Sequence, residues 1–86
     1  MRVVVVYKEN NDYTRDVTDY IRDFKRQTGH DLEPLDPESQ RGIDFCQIYD
    51  IMELPTMIAI SDEGVIQNSW QGLPLPTISE VSYYVQ

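Results

Sequence analysis

Val3-Val4-Val5-Val6-Tyr7 is an unbroken run of five apolar residues, and no other feature restricts the fold as tightly. A strand with one face in water alternates polar and apolar side chains, whereas a continuous run marks a strand covered on both faces. The run is too short for the roughly 7–15 apolar residues of a secretory signal or the roughly 20 of a membrane span. Arg2–Tyr7 is therefore read as a buried strand, and the 86 residues must cover both its faces within one domain, residues 1–86.

The rest of the chain supplies that cover. Lys8–Tyr13 is a polar loop rich in turn and cap residues. Thr14–Thr28 predicts a helix, because Val17, Tyr20, Ile21, Phe24 and Thr28 recur along one helical stripe. Asp12 or Thr14 is placed to cap its start, and Gly29 to end it in the left-handed conformation. Its outer face alternates in charge through Arg15, Asp16, Asp19, Arg22, Asp23 and Arg26, the pattern of a solvated surface.

His30–Leu35 reads as a weaker strand, which Pro34 holds to an edge or ends early. Asp36-Pro37-Glu38 reads as a helix opening with Asp36 as cap, the helix running to about Tyr49 and burying Ile43, Cys46, Phe45 and Tyr49. Gly42 weakens its first half. Thr56–Ser61 and Val65–Trp70 predict a hairpin across Asp62-Glu63-Gly64. Gly72, Pro74 and Pro76 mark a loop, and Thr77-Ile78-Ser79-Glu80 is a capping box that opens a last helix with Ile78, Val81 and Val85 inward. The order β-α-β-α-β-β-α implies an α/β fold: one four-stranded mixed sheet with helices on both faces, its first two strands parallel.

Charge and cysteine content narrow the function classes. Seven basic and fifteen acidic residues give a net charge of −8, which argues against nucleic acid and against anionic membranes as partners and tilts any protein partner toward basic segments. The one cysteine, Cys46, excludes an internal disulfide and a cysteine-rich zinc site and fits a reducing, cytoplasmic setting. No glycine-rich phosphate loop or Gly-x-Ser-x-Gly elbow occurs, so no cofactor is expected. His30 has no second soft ligand near it, and the acids from Asp31 to Glu53 lack the order and loop glycine of a calcium site, so no metal is expected. No oligomeric state is implied.

Pro55 stands at the mouth of the apolar run Met57–Ile60, where its missing N–H cannot join a ladder. The stretch Tyr49-x-Ile51-x-x-x-Pro55-Thr56, with the element order, Gly64 at the hairpin and Gly72 after the last strand, resembles the thioredoxin-like superfamily in its minimal, glutaredoxin-like form. The likeness covers nearly the whole chain. It implies that Pro55 is cis and that the backbone of Leu54 pairs with an extended peptide. It places Asp12-Tyr13-Thr14-Arg15 where the family carries Cys-x-x-Cys. Both cysteines are absent here, and dithiol exchange needs an attacking and a resolving thiol.

The resemblance thus implies a redox-inactive thioredoxin fold whose peptide-binding rim comprises Asp12, Tyr13, Thr14, Arg15, Leu54, Pro55, Thr56 and Gly72. Arg15 is the residue there suited to a carboxylate or phosphate. Trp70 reads as strand core or as a contact in that groove. One alternative is a single-thiol oxidoreductase or glutathione-binding protein using Cys46, with the thiol expected to be raised in pKa by Asp44, Asp50 and Glu53. Another is a structural domain that has lost its site.

Overall fold

The computed structural model of the chain describes residues 1–85. Its elements are β1 (Arg2–Val6), α1 (Thr14–Thr28), β2 (Glu33–Leu35), α2 (Gln40–Ile48), β3 (Thr56–Ile60), β4 (Ile66–Gln71) and α3 (Ile78–Ser82). The strands form one sheet in the order β2-β1-β3-β4. β1 is parallel to β2 and antiparallel to β3, and β3 is antiparallel to β4. The expected mixed sheet is therefore present. β2 is shorter than its sequence pattern predicts and, with Pro34 at its centre, lies on an edge. β4 forms the other edge, its ladder to β3 broken by a register shift at Ala59/Ile60.

Both faces of the sheet are covered, as the unbroken valine run requires. Val3, Val5, Met57 and Ala59 point to one side, where Val17 and Phe24 of α1 and Val81 of α3 close a fully buried core. Val4, Val6, Leu35, Ile58 and Ile60 point to the other, where Phe45, Cys46, Tyr49, Ile51 and Leu54 cover them only in part. Ile78 and Val85 pack inward against the first core as expected. Trp70 belongs to that side too: it pairs with Met57 across the ladder and meets the Tyr84 ring edge-on at 5.6 Å.

α1 keeps its predicted bounds and ends on Gly29 at φ 77°, whose N–H donates to the Lys25 carbonyl. Its start differs from expectation. Tyr13 occupies the cap position without capping the helix through its side chain, and neither Asp12 nor Thr14 caps. The Thr14 hydroxyl is turned back into the loop instead, donating to the Lys8 carbonyl at 2.7 Å and accepting from the Asn11 N–H at 2.9 Å.

α2 also opens differently. Asp36 Oδ1 accepts from the Glu38 N–H in a local turn, and the cap is Ser39, whose hydroxyl accepts from the Gly42 N–H at 3.0 Å. Gly42, which as a helix residue looked only weakening, is buried against that turn. A β-carbon there would overlap the Asp36 carbonyl oxygen and stand 2.7 Å from its carbon. The inward stripe accordingly starts at Gly42 and continues through Phe45, Cys46 and Tyr49, which leaves Ile43, expected inside, 41% exposed.

The helix closes on Asp50, at φ 55° in the left-handed region, with the Ile51 N–H donating to the Cys46 carbonyl at 2.9 Å. Glycine is the least strained residue in that position. Asp50→Gly is therefore expected to stabilise the chain by about 0.5–1 kcal/mol, read as a raised denaturation midpoint at unchanged slope.

Tyr20 on α1 carries a hydroxyl that is buried with no hydrogen-bond partner among the described residues. Burial, and then the nearby Glu80 carboxylate, push its phenol up to about 12. The folded chain thus holds this proton more tightly than the unfolded one. Its contribution to stability is complete below the ordinary value of 10.0 and is lost as pH rises toward about 12. Tyr20→Phe removes an unpaired buried polar atom, so a change between zero and about 1 kcal/mol of added stability is expected near neutrality. Denaturant titrations at neutral and alkaline pH should also show less alkaline loss in the variant.

Candidate functional site at one end of the sheet

The register places one row of residues across all four strands: Leu35, Val6, Thr56 and Gln71. Strand directions put the ends of β1, β2 and β4 and the start of β3 at this same end. The next row is Asp36, Tyr7, Pro55 and Gly72, held by Tyr7 N–H to the Leu35 carbonyl at 3.2 Å and Gly72 N–H to the Pro55 carbonyl at 2.8 Å. Four loops therefore converge around Pro55.

Pro55 and Thr56 are fully buried. The Leu54–Pro55 bond is cis, as is Leu73–Pro74. The Thr56 hydroxyl donates to the Glu53 carbonyl, which closes the turn into β3. Leu54 packs its side chain beneath the sheet on the α2 side. Among the described residues its N–H and carbonyl have no main-chain partner. Gly72 has φ 73°, and the Glu53 carboxylate lies so close above it that a β-carbon would collide with Oε2.

The loop after β1 and the first turn of α1 bring Asp12, Tyr13, Thr14 and Arg15 to this end, and they divide into two pairs. Tyr13 and Thr14 are committed to the loop itself: the Tyr13 hydroxyl accepts from the Lys8 N–H at 3.0 Å, and Thr14 makes the bonds described above. Asp12 and Arg15 are exposed and have no ion-pair partner among the described residues.

Two hollows open here. The larger, an open depression of about 540 Å³, is lined by Asp16, Leu73, Pro74 and Leu75. The smaller, about 250 Å³, lies at the ends of β1 and β2 between Tyr7, Glu9, Pro34, Leu35 and Asp36. Burial, and then Glu9, raise the Tyr7 phenol above its ordinary range. Sequence reasoning missed Asp16, Leu73, Pro74 and Leu75. Asp16 was hidden inside the alternating charges of α1, and the three loop residues carried no signal beyond the one proline, Pro74.

Cys46 lies elsewhere. One turn beyond it, the Tyr49 hydroxyl donates to the Gly64 carbonyl in the β3–β4 hairpin, at the opposite end of the sheet. The thiol is half-buried and its pKa is raised. The direction is the one expected, but the cause is burial rather than the neighbouring acids. His30 is exposed, and among the described residues no group of three or more His, Cys, Asp or Glu side chains is arranged to hold a metal ion. No described helix is long and apolar enough to cross a membrane.

No protein-family model matches this sequence, and no curated protein matches it. Solved structures do match in shape. Thioredoxin 1 from the thermophilic eubacterium Thermosipho africanus TCF52B superposes with a TM-score of 0.67 at 15% identity, over 99% of this chain and 90% of its own. A malarial protein superposes with a TM-score of 0.68 at 8% identity, over 96% of this chain and 90% of its own. With the sheet order and the loops gathered around Pro55, these likenesses establish that the chain has a thioredoxin-like fold.

Proposed function

We propose that the chain is a binding module without dithiol chemistry, which holds an extended protein segment at the Leu54-Pro55-Thr56 rim. The observation that carries this reading is the free backbone of Leu54 beside a buried, fixed Pro55-Thr56 turn. An unpaired N–H and carbonyl at the end of a sheet recognise another chain through main-chain hydrogen bonds, as in strand addition. Asp12, Arg15 and Gly72 border that rim, with Tyr13 and Thr14 shaping the loop that presents it. The net charge of −8 favours basic partners.

A reading based on Cys46 has less support. Reactive thiols sit in electropositive, accessible surroundings with lowered pKa, whereas this thiol is half-buried and raised in pKa.

The test is a titration of the labelled protein with a capped Ala-Leu-Gln-Leu-Ala peptide and with its backbone N-methylated counterpart, followed by amide resonances. The unmodified peptide is expected to shift the Leu54 and Thr56 amides and the methylated one to leave them in place. Equal effects of the two, or none from either, would reject main-chain recognition at this rim.

A further inference from the structure

The depression beside the rim has a chemistry of its own. Among the described residues that line it, Leu73, Pro74 and Leu75 are apolar and Asp16 supplies a carboxylate. Leu73 is 56% exposed. The volume of about 540 Å³ falls within the roughly 300–1,000 Å³ of ligand pockets. Asp16 has no ion-pair partner among the described residues, although its helix spends Asp19 and Asp23 on Arg22 and Arg26. An apolar floor with a single carboxylate at its wall matches a long aliphatic stem ending in a cation, which buries its methylenes and keeps its charge at the edge. Lysine and arginine are the side chains with that build.

Resting on the binding reading above, we propose that this depression receives an arginine or lysine side chain of the bound segment. Its stem would lie along Leu73, Pro74 and Leu75, with its charge paired to Asp16. The segment's main chain would engage Leu54, and the depression would select its sequence. A planar guanidinium offers the carboxylate two parallel hydrogen bonds where an ammonium offers a point charge, so arginine is favoured over lysine. Asp16 also sits in the first turn of α1, where any acid is stabilised by the helix dipole. The test must therefore read binding, not stability.

The experiment titrates the protein with capped Ala-Leu-Xaa-Leu-Ala peptides in which Xaa is arginine, lysine, citrulline or glutamate, following the amides of Asp16, Leu73 and Leu75. The arginine peptide is expected to bind roughly two- to five-fold more tightly than the uncharged, near-isosteric citrulline peptide, the span of an exposed charge pair. The glutamate peptide should bind most weakly. Asp16→Asn should bring the arginine and citrulline peptides to near-equal binding, and Leu73→Ala should weaken all four.

Equal binding of arginine and citrulline at these amides would overturn the inference. So would shifts confined to Leu54, Thr56 and Gly72 with no charge preference, but that result would leave the binding reading standing. Silence from every peptide would overturn both.

Discussion

Gly42→Ala is expected to destabilise the chain by about 3 kcal/mol, although a glycine-to-alanine change inside a helix ordinarily gains about 1 kcal/mol. The sign reverses because of what the glycine faces. A β-carbon there would overlap the Asp36 carbonyl oxygen and stand 2.8 Å from the Pro37 α-carbon, so backbone rather than a flexible side-chain end must give way. Overpacking of this kind costs roughly 1–3 kcal/mol. The displaced turn also carries the Asp36 bonds to Ser39, the residue that caps α2, and losing a cap costs about 1 kcal/mol more. Urea unfolding of the variant reads the change directly. A gain in stability would show that α2 and the Asp36 turn do not approach as described.

Phe24→Ala is expected to cost about 3–5 kcal/mol, the range for a fully buried aromatic ring. Phe24 is 0% exposed and fills the centre of the core between α1, α3 and the sheet, stacked at 6.3 Å on Tyr20. The matching change on the other face, Phe45→Ala, is expected to cost under about 2 kcal/mol, because that ring is only partly covered. The contrast tests the layering, since equal costs would mean that α2 covers its face as fully as α1 and α3 cover theirs. A domain of this size has roughly 4–13 kcal/mol in all, so Phe24→Ala alone can populate the unfolded state measurably.

The element order was legible because each element carries its own period. The valine run, the Val17–Thr28 stripe and the Thr77 cap each point to one structure, and each formed: the Thr77 hydroxyl accepts from the Glu80 N–H, although the Glu80 carboxylate meets that hydroxyl rather than the Thr77 N–H. Where two local signals competed, the tertiary approach decided. Asp36 was the expected cap of α2, but it forms a turn of its own, Ser39 caps the helix, and Gly42 packs against that turn. The same contact set the phase of α2. Its inward stripe begins at a glycine, which has no apolar side chain to announce it, so Ile43 looked like the first buried position and is not.

The candidate site was legible only where backbone chemistry marks it. A proline at a strand's mouth and a glycine at positive φ stand out in a sequence, and Pro55 and Gly72 do meet at one end of the sheet. Asp16 does not stand out, because nothing in a row of alternating charges tells which one will face a hollow built by residues nearly sixty positions away.

The two rims of the sheet have different capacities for growth. At β2 a three-residue strand interrupted by Pro34 offers a newcomer almost no regular donors and acceptors. At β4 six residues, Ile66-Gln67-Asn68-Ser69-Trp70-Gln71, contain neither proline nor a charged side chain, which are the usual guards of a strand at such a position. The register shift beside it at Ala59/Ile60 and the mutual repulsion of chains that each carry a net charge of −8 both disfavour pairing there. Dissolved salt screens that repulsion beyond about 8 Å at physiological ionic strength, so the electrostatic share of the protection weakens as ionic strength rises.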